Sequence, residues 1–204
     1  MTAYPDEPWH LAGQMYLSLW AVRRAAIPPV APGLRPLTVA GRGLVGAAWV
    51  VYENDSVLHY SELLRAVLVR DGARPRVCVT DIWVDSEASM AGGRALWGIP
   101  KEMAAFDAER TDGGASFTAR TGQGVLATGR CIERGRLPGR WPLAYKLAQT
   151  LDGRIRTSPV RSRAELRRAR AEWTAPAGSP LAALGDRPPL ISLTLRDFTL
   201  RFGG

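Results

Sequence analysis

Lysine is nearly absent from this chain. Lysine and arginine together number 27 among 204 residues, yet only Lys101 and Lys146 are lysines. Cysteine and histidine are as scarce, with Cys78, Cys131, His10 and His59 the whole complement. Two cysteines in apolar, strand-like runs make neither a disulfide framework nor a zinc pattern, and both read as reduced core residues. The histidines have no serine or cysteine partner in sequence, and no spaced His, Cys, Asp and Glu group would hold a metal. His59 in VLHYSE reads as a packed or hydrogen-bonded residue. No apolar run approaches the length of a membrane span, so no membrane partner is expected. The stretch MTAYPDEPWHLAG has neither a basic n-region nor an apolar h-region, which leaves the cytoplasm as the expected location. GxSxG, HExxH, Walker A and GxGxxG motifs are all missing, and no cofactor is implied.

What is present is an ordinary globular composition, 46% hydrophobic and 23% charged, with seven tryptophans. That length and composition fit a single domain over residues 1–204 with a substantial core. The net charge of +8 invites a nucleic-acid partner, but the arginines are spread along the chain and no aromatic-interleaved basic motif occurs. Even the densest run, RSRAELRRARAEW (161–173), carries Glu165 and Glu172. It reads as a solvated basic face. No nucleic-acid partner is expected; a phosphate- or CoA-bearing partner is the alternative that the charge leaves open.

Turn signals such as IPPVAPG (27–33), TDGG (111–114) and GDRPP (185–189) recur at close spacing. Between the turns lie short runs rich in Val, Leu, Ile, Thr and aromatics, among them 15–23, 44–52, 64–70, 76–83, 124–133 and 190–202. This pattern predicts a mainly β chain (α+β), its antiparallel sheet closed into a barrel or folded as a sandwich. Helix is sparse, and 86–96 is the better candidate. The stretch 162–173 has helical propensity but is read as a strand with its arginines outward. In 189–202 the alternation of Ile191, Leu193 and Leu195 breaks phase near Asp197, which predicts a bulge in a long strand.

Lys101 lies in LWGIPKEMAAF, between a Gly-Ile-Pro turn and apolar residues. A lysine amine attacks a carbonyl only when neutral, and at its ordinary pKa of about 10.4 it is almost wholly protonated near pH 7. Desolvation disfavours the ammonium form. The resulting imine is an electron sink, and the chemistry also needs a carboxylate or hydroxyl to move protons in a dry pocket. Glu62 and Tyr60 in LHYSELL supply such groups. Read from the residues alone, Lys101 is either this nucleophile or a surface lysine after a proline turn.

The order of motifs resembles the acetoacetate decarboxylase superfamily. MYLSLWAV (15–22) is similar to the family's first core strand and APGLRPL (31–37) to its proline-rich turn. Tyr60 and Glu62 match its Tyr-x-Glu motif. The run Gly93-Arg94-Ala95-Leu96-Trp97-Gly98-Ile99-Pro100-Lys101-Glu102 resembles its Gly-Arg-Glu-x-x-Gly-Phe-Pro-Lys-Lys. The resemblance implies a cone-shaped antiparallel β-barrel with few short helices, homo-oligomeric assembly, and Lys101 as the Schiff-base residue with Glu62 handling protons. Three positions depart from the family. Its second lysine, whose charge would depress the first, is Glu102 here, so either Glu102 points away and burial alone lowers the lysine, or Lys101 stays protonated. The arginine that grips a substrate carboxylate aligns with Gln14, and one of the two active-site glutamates with Ala47.

These departures argue against acetoacetate itself as the substrate, since the bidentate grip on a carboxylate is gone. The resemblance then implies imine chemistry on another keto acid or an aldehyde, by aldol condensation with dehydration or by decarboxylation, as in bacterial secondary metabolism. Gln14, Tyr60, Trp97, Tyr52, Trp20, Trp49 and Arg94 are the expected substrate-binding residues, and the aromatic lining suggests a larger, less charged molecule. Two alternatives stay open: a barrel cyclase acting on a polyketide-like substrate without an imine, and a noncatalytic barrel that binds a small apolar ligand.

Overall fold

A computed structural model describes residues 2–204. Seven long strands form its barrel: β1 (Trp9–Arg23), β4 (Arg42–Tyr52), β5 (Tyr60–Asp71), β6 (Arg74–Val84), β11 (Trp141–Leu151), β12 (Arg154–Thr174) and β13 (Ile191–Phe202). Between β1 and β4 lie the two-residue strands β2 (Arg35–Pro36) and β3 (Thr38–Val39). After β6 come helix α1 (Glu87–Trp97) and strands β7 (Lys101–Met103), β8 (Ala105–Thr111), β9 (Gly114–Thr121) and β10 (Gly124–Arg136). A four-residue helix, α2 (Ala182–Gly185), precedes β13. No helix of the described residues is long and apolar enough to cross a membrane.

The ring runs β6-β5-β4-β1-β13-β12-β11 and closes where β11 returns beside β6. All ring neighbours are antiparallel except at this closure, where β11 and β6 pair in parallel through Leu147 and Val77. The expected antiparallel barrel is therefore present, with one parallel seam. At 21 residues, β12 is long enough to serve two sheets. Its first half pairs with β11, and its second half pairs with β10 in place of β11 while keeping β13 on its other edge as far as Ala169. Strands β10, β9 and β8 then continue as an outer layer. The helical propensity of 162–173 loses to these ladders, which satisfy the strand's backbone along both edges.

Two apolar cores follow from this layering. Val50 and Tyr52 on β4, Ile82 and Val84 on β6, and Leu195, Phe198 and Leu200 on β13 belong to the core inside the ring. The intervening residues face outward but do not meet water. Tyr16, Trp20, Ala47, Trp49 and Leu63 pack with Phe117, Cys131 and Trp173 beneath the outer layer. Trp49 stacks on Phe117 with ring centroids 5.3 Å apart and on Trp173 at 5.5 Å. Such pairs add about 0.5–1.5 kcal/mol each beyond their burial.

The phase break expected near Asp197 is present: the β1–β13 register shifts around Gly13, and Asp197 adopts φ +47°. Gln14 braces it, donating to Asp197 Oδ1 at 2.8 Å and accepting from the Asp197 amide at 3.0 Å.

Candidate active site

Helix α1 and strand β7 deliver the lysine. Ser86 caps the helix by accepting from the Ser89 amide at 3.2 Å. Residues Ser89, Gly92, Gly93 and Trp97 form its buried stripe at helical spacing. The glycines let the helix close down: a Cβ on Gly92 would stand 2.6 Å from the Trp9 ring, and one on Gly93 2.8 Å from Lys101 Cδ. Gly98 ends the helix at φ +66°, a conformation that favours glycine. The chain then turns through Pro100 so that β7 runs parallel to β6 with Lys101 beside Ile82. Neighbouring residues on β7 point to opposite faces. Lys101 enters the ring at 3% exposure, whereas Glu102 is exposed.

Opposite the lysine, β4 and β5 supply the polar partners. Tyr60 and Glu62 share a face two residues apart, and Tyr52 lies directly across from Tyr60, ring centroids 4.4 Å apart. Lys101 Nζ donates to Glu62 Oε2 at 2.9 Å, Ser89 Oγ at 2.8 Å and Tyr60 Oη at 3.3 Å. It also sits 4.9 Å from the Tyr60 ring centroid. Tyr52 Oη donates to the other carboxylate oxygen, Glu62 Oε1, at 3.3 Å.

An ammonium group has three protons, and each has an acceptor here. Burial works against the charge on Lys101, but the Glu62 carboxylate and the Tyr60 hydroxyl outweigh it and hold the lysine above its usual range. Of the two expected alternatives, a lysine lowered by burial alone and one that stays protonated, this direction agrees with the second. Glu102 does point away, but Glu62 is the dominant neighbour. Burial pushes Tyr60 up, and it pushes Tyr52 well up with the Glu62 charge adding to the effect.

These groups line a cavity of about 90 Å³ whose other walls are mostly apolar, among them Trp9, Leu11, Met15, Ile82, Leu147 and Leu200. Of the expected site residues, Lys101, Glu62, Tyr60, Tyr52 and Trp97 converge there. Trp97 offers its ring, since its indole nitrogen donates to Glu7 at 2.9 Å.

Four expected substrate-binding residues do not reach the cavity. Gln14, Trp20 and Trp49 fall on the outward parity of β1 and β4, where the two tryptophans fill the outer core. Arg94 is on the exposed side of α1. Ala47 also faces the outer core, so its alignment with a catalytic glutamate joins positions on opposite faces of the wall. The ring-side residues nearby are Ala48 and Val50. The cavity is also small for the larger substrate that the aromatic residues suggested.

Sequence reasoning missed Ser89 and Tyr145. Ser89 was legible as the first member of the Ser89–Gly93–Trp97 i, i+4 series leading to the lysine. Tyr145 reaches the cavity wall from β11; 41% exposed, it gave no signal before the ring closure was known. Among the described residues no group of three or more His, Cys, Asp or Glu side chains is placed to hold a metal ion.

The family model for acetoacetate decarboxylase (ADC) matches residues 2–185. An acetoacetate decarboxylase of Acidiphilium cryptum (strain JF-5) is 26% identical over 102 residues, half of this chain and 41% of that protein. The match thus spans about two fifths of the curated relative's length. Among solved structures, the acetoacetate decarboxylase of Legionella pneumophila superposes with a TM-score of 0.67 at 16% identity, covering 100% of this chain and 88% of that one. The enduracididine biosynthesis enzyme MppR in complex with pyruvate gives 0.64 at 18%, covering 99% and 89%. A barrel of the same fold, closed around a buried lysine and matched over residues 2–185, places the conclusion beyond resemblance: the chain belongs to the acetoacetate decarboxylase family.

Proposed function

We propose that the protein is a lyase that forms a Schiff base between Lys101 and a keto acid or aldehyde. Its reaction is aldol condensation with dehydration, or decarboxylation of an acid other than acetoacetate. The observation that carries this reading is the 2.9 Å contact between Lys101 Nζ and Glu62 Oε2 at the wall of a mostly apolar cavity. MppR, a relative in fold, has been solved with pyruvate bound.

The charged pair is a resting state one proton transfer from reactivity. When a carbonyl compound displaces water, the proton on Nζ passes to Glu62, which leaves a neutral amine beside a carboxylic acid. The Nζ lone pair attacks the carbonyl carbon as the C–O π pair moves to oxygen, and one of the Nζ protons passes to that oxygen to give a neutral carbinolamine. Glu62 then returns its proton to the departing hydroxyl, so that water leaves and a protonated imine faces a carboxylate. Tyr60 and Ser89 hold Nζ in line throughout, and Tyr52 orients Glu62 through its second oxygen. Positioned acid–base groups of this kind are worth roughly 10²–10⁴-fold in rate.

The saturated ammonium also suits a second reading, in which Lys101 stays protonated and donates to a substrate that cyclises in the barrel. Borohydride trapping separates the two. The protein is incubated with a panel of keto acids and aldehydes and reduced, and the adduct is mapped by intact mass and peptide analysis. With only Lys101 and Lys146 in the chain, the map is simple to read. An adduct on Lys101, absent from Lys101→Ala, supports the imine. An unchanged mass across the panel rules it out: loss of turnover in Lys101→Ala then favours the second reading, and native turnover in that variant leaves Lys101 without a role in either.

A further inference from the structure

The cavity is electrically balanced before any substrate arrives. Among its lining residues Lys101 is the one cation and Glu62 the one carboxylate, and neither arginine nor histidine is present. The three Lys101 protons are already committed to Glu62, Tyr60 and Ser89. On β1 the ring-side residues Leu11, Met15 and Leu17 carry no charge. Gln14, on the other face of that strand, is bonded to Glu53 and Asp197. Arg156 comes near only through Glu7, whose carboxylate it already pairs at 2.6 Å while Glu7 accepts from the Trp97 indole.

The charge can be followed through imine formation. With an uncharged ketone or aldehyde, ammonium plus carboxylate become protonated imine plus carboxylate, and one water is released. The C–N bond forms as the C–O bond breaks, and the site begins and ends neutral. With a keto acid, the same step encloses two carboxylates with one cation. The second carboxylate then meets no cation; the Tyr145 hydroxyl at the cavity wall offers it one neutral donor, which leaves its charge uncompensated and most of its desolvation cost standing. Size sets a separate limit, on bulk and not on charge. A cavity of about 90 Å³ is smaller than the roughly 150 Å³ apolar cavity that accepts benzene.

We infer that the compound forming the imine is a small, uncharged ketone or aldehyde with apolar substituents, and that keto acids are excluded. This inference rests on the Schiff-base reading and narrows it. Without a carboxylate to lose, the imine has carbon–carbon chemistry left to it. The Glu62 carboxylate takes the proton α to the imine, the C–H pair becomes the enamine double bond, and the imine π pair returns to Nζ. The enamine carbon then attacks a second aldehyde, whose oxygen takes the proton from Glu62.

The test is a competition on the full chain with matched pairs of similar size. Butanone and propanal are set against pyruvate and acetoacetate, each reduced with borohydride over a time course, and the Lys101 peptide is quantified. The expected result is trapping of the uncharged compounds at least about a hundredfold faster than the acids, the size of effect that an unpaired buried charge produces. Equal or faster trapping of pyruvate or acetoacetate on Lys101 overturns the inference and leaves the Schiff-base reading standing. No Lys101 adduct with any of the four compounds overturns both.

Discussion

A lysine buried to 3% exposure keeps its charge only if protein groups replace its water, and at Lys101 three acceptors do so. Glu62 matters most among them because it alone brings opposite charge. Removing one partner of a buried pair leaves the other uncompensated, which costs about 3–5 kcal/mol, whereas replacing both with apolar groups is often near neutral. Glu62→Gln is therefore expected to lose roughly 3 kcal/mol at pH 7, and the double variant Glu62→Gln/Lys101→Met to recover most of it. Urea unfolding of the wild type, both single variants and the double variant gives the coupling directly. A Glu62→Gln midpoint indistinguishable from wild type would mean that the pair is not held as described.

At the scale of elements, the lysine's position depends on how closely α1 approaches it. Gly93→Ala raises helix propensity by up to about 1 kcal/mol, yet its Cβ would stand 2.8 Å from Lys101 Cδ and 2.9 Å from Cε. The stem must shift while Nζ is tied to three acceptors, so the two effects on stability oppose each other. The variant should unfold within about 1 kcal/mol of wild type, while borohydride trapping slows at least about tenfold, since small misplacements are costly in catalysis. Unchanged trapping would show that α1 does not set the lysine's position.

Several of the same elements were legible in the sequence: 86–96 lies within one residue of α1, and 44–52, 76–83 and 190–202 fall on β4, β6 and β13. β8 was not, because an outer strand exposed along most of its length shows no alternation. Which face of β4 lines the cavity was also out of reach. Trp49 and Val50 are both buried, and a strand apolar on both sides carries no mark of which side is the lumen. That ambiguity put Trp20, Trp49 and Gln14 in the expected site, whereas the short motifs around Glu62 and Lys101 name side chains that the structure brings together.

Over the whole molecule, the buried groups that titrate above neutrality are shifted in one direction, though not all by the same cause. Cys78, Cys131, Tyr16, Tyr52, Tyr60 and Lys101 are all buried and all raised above their ordinary values, the phenols and thiols chiefly by desolvation, and the lysine by Glu62 against desolvation. A raised folded pKa means that, above the ordinary value, the unfolded chain gives up a proton that the folded chain retains. Stability contributed by such a group is complete below the unfolded pKa and is lost as pH rises towards the folded one. The ordinary values span 9.0 for the cysteines to 10.5 for the lysine. Stability should therefore be flat through pH 8 and fall from about pH 9 upward, each group adding as much as about 1.4 kcal/mol per pH unit. Glu62→Gln reverses the sign for one member: with its counter-charge gone, burial depresses Lys101, and the variant regains that share of stability as pH rises towards the ordinary lysine value. Urea midpoints between pH 7 and 10.5 check both statements. A wild-type profile that stays level above pH 10, or a Glu62→Gln profile parallel to wild type between pH 7 and 9, would contradict the charge arrangement from which they follow.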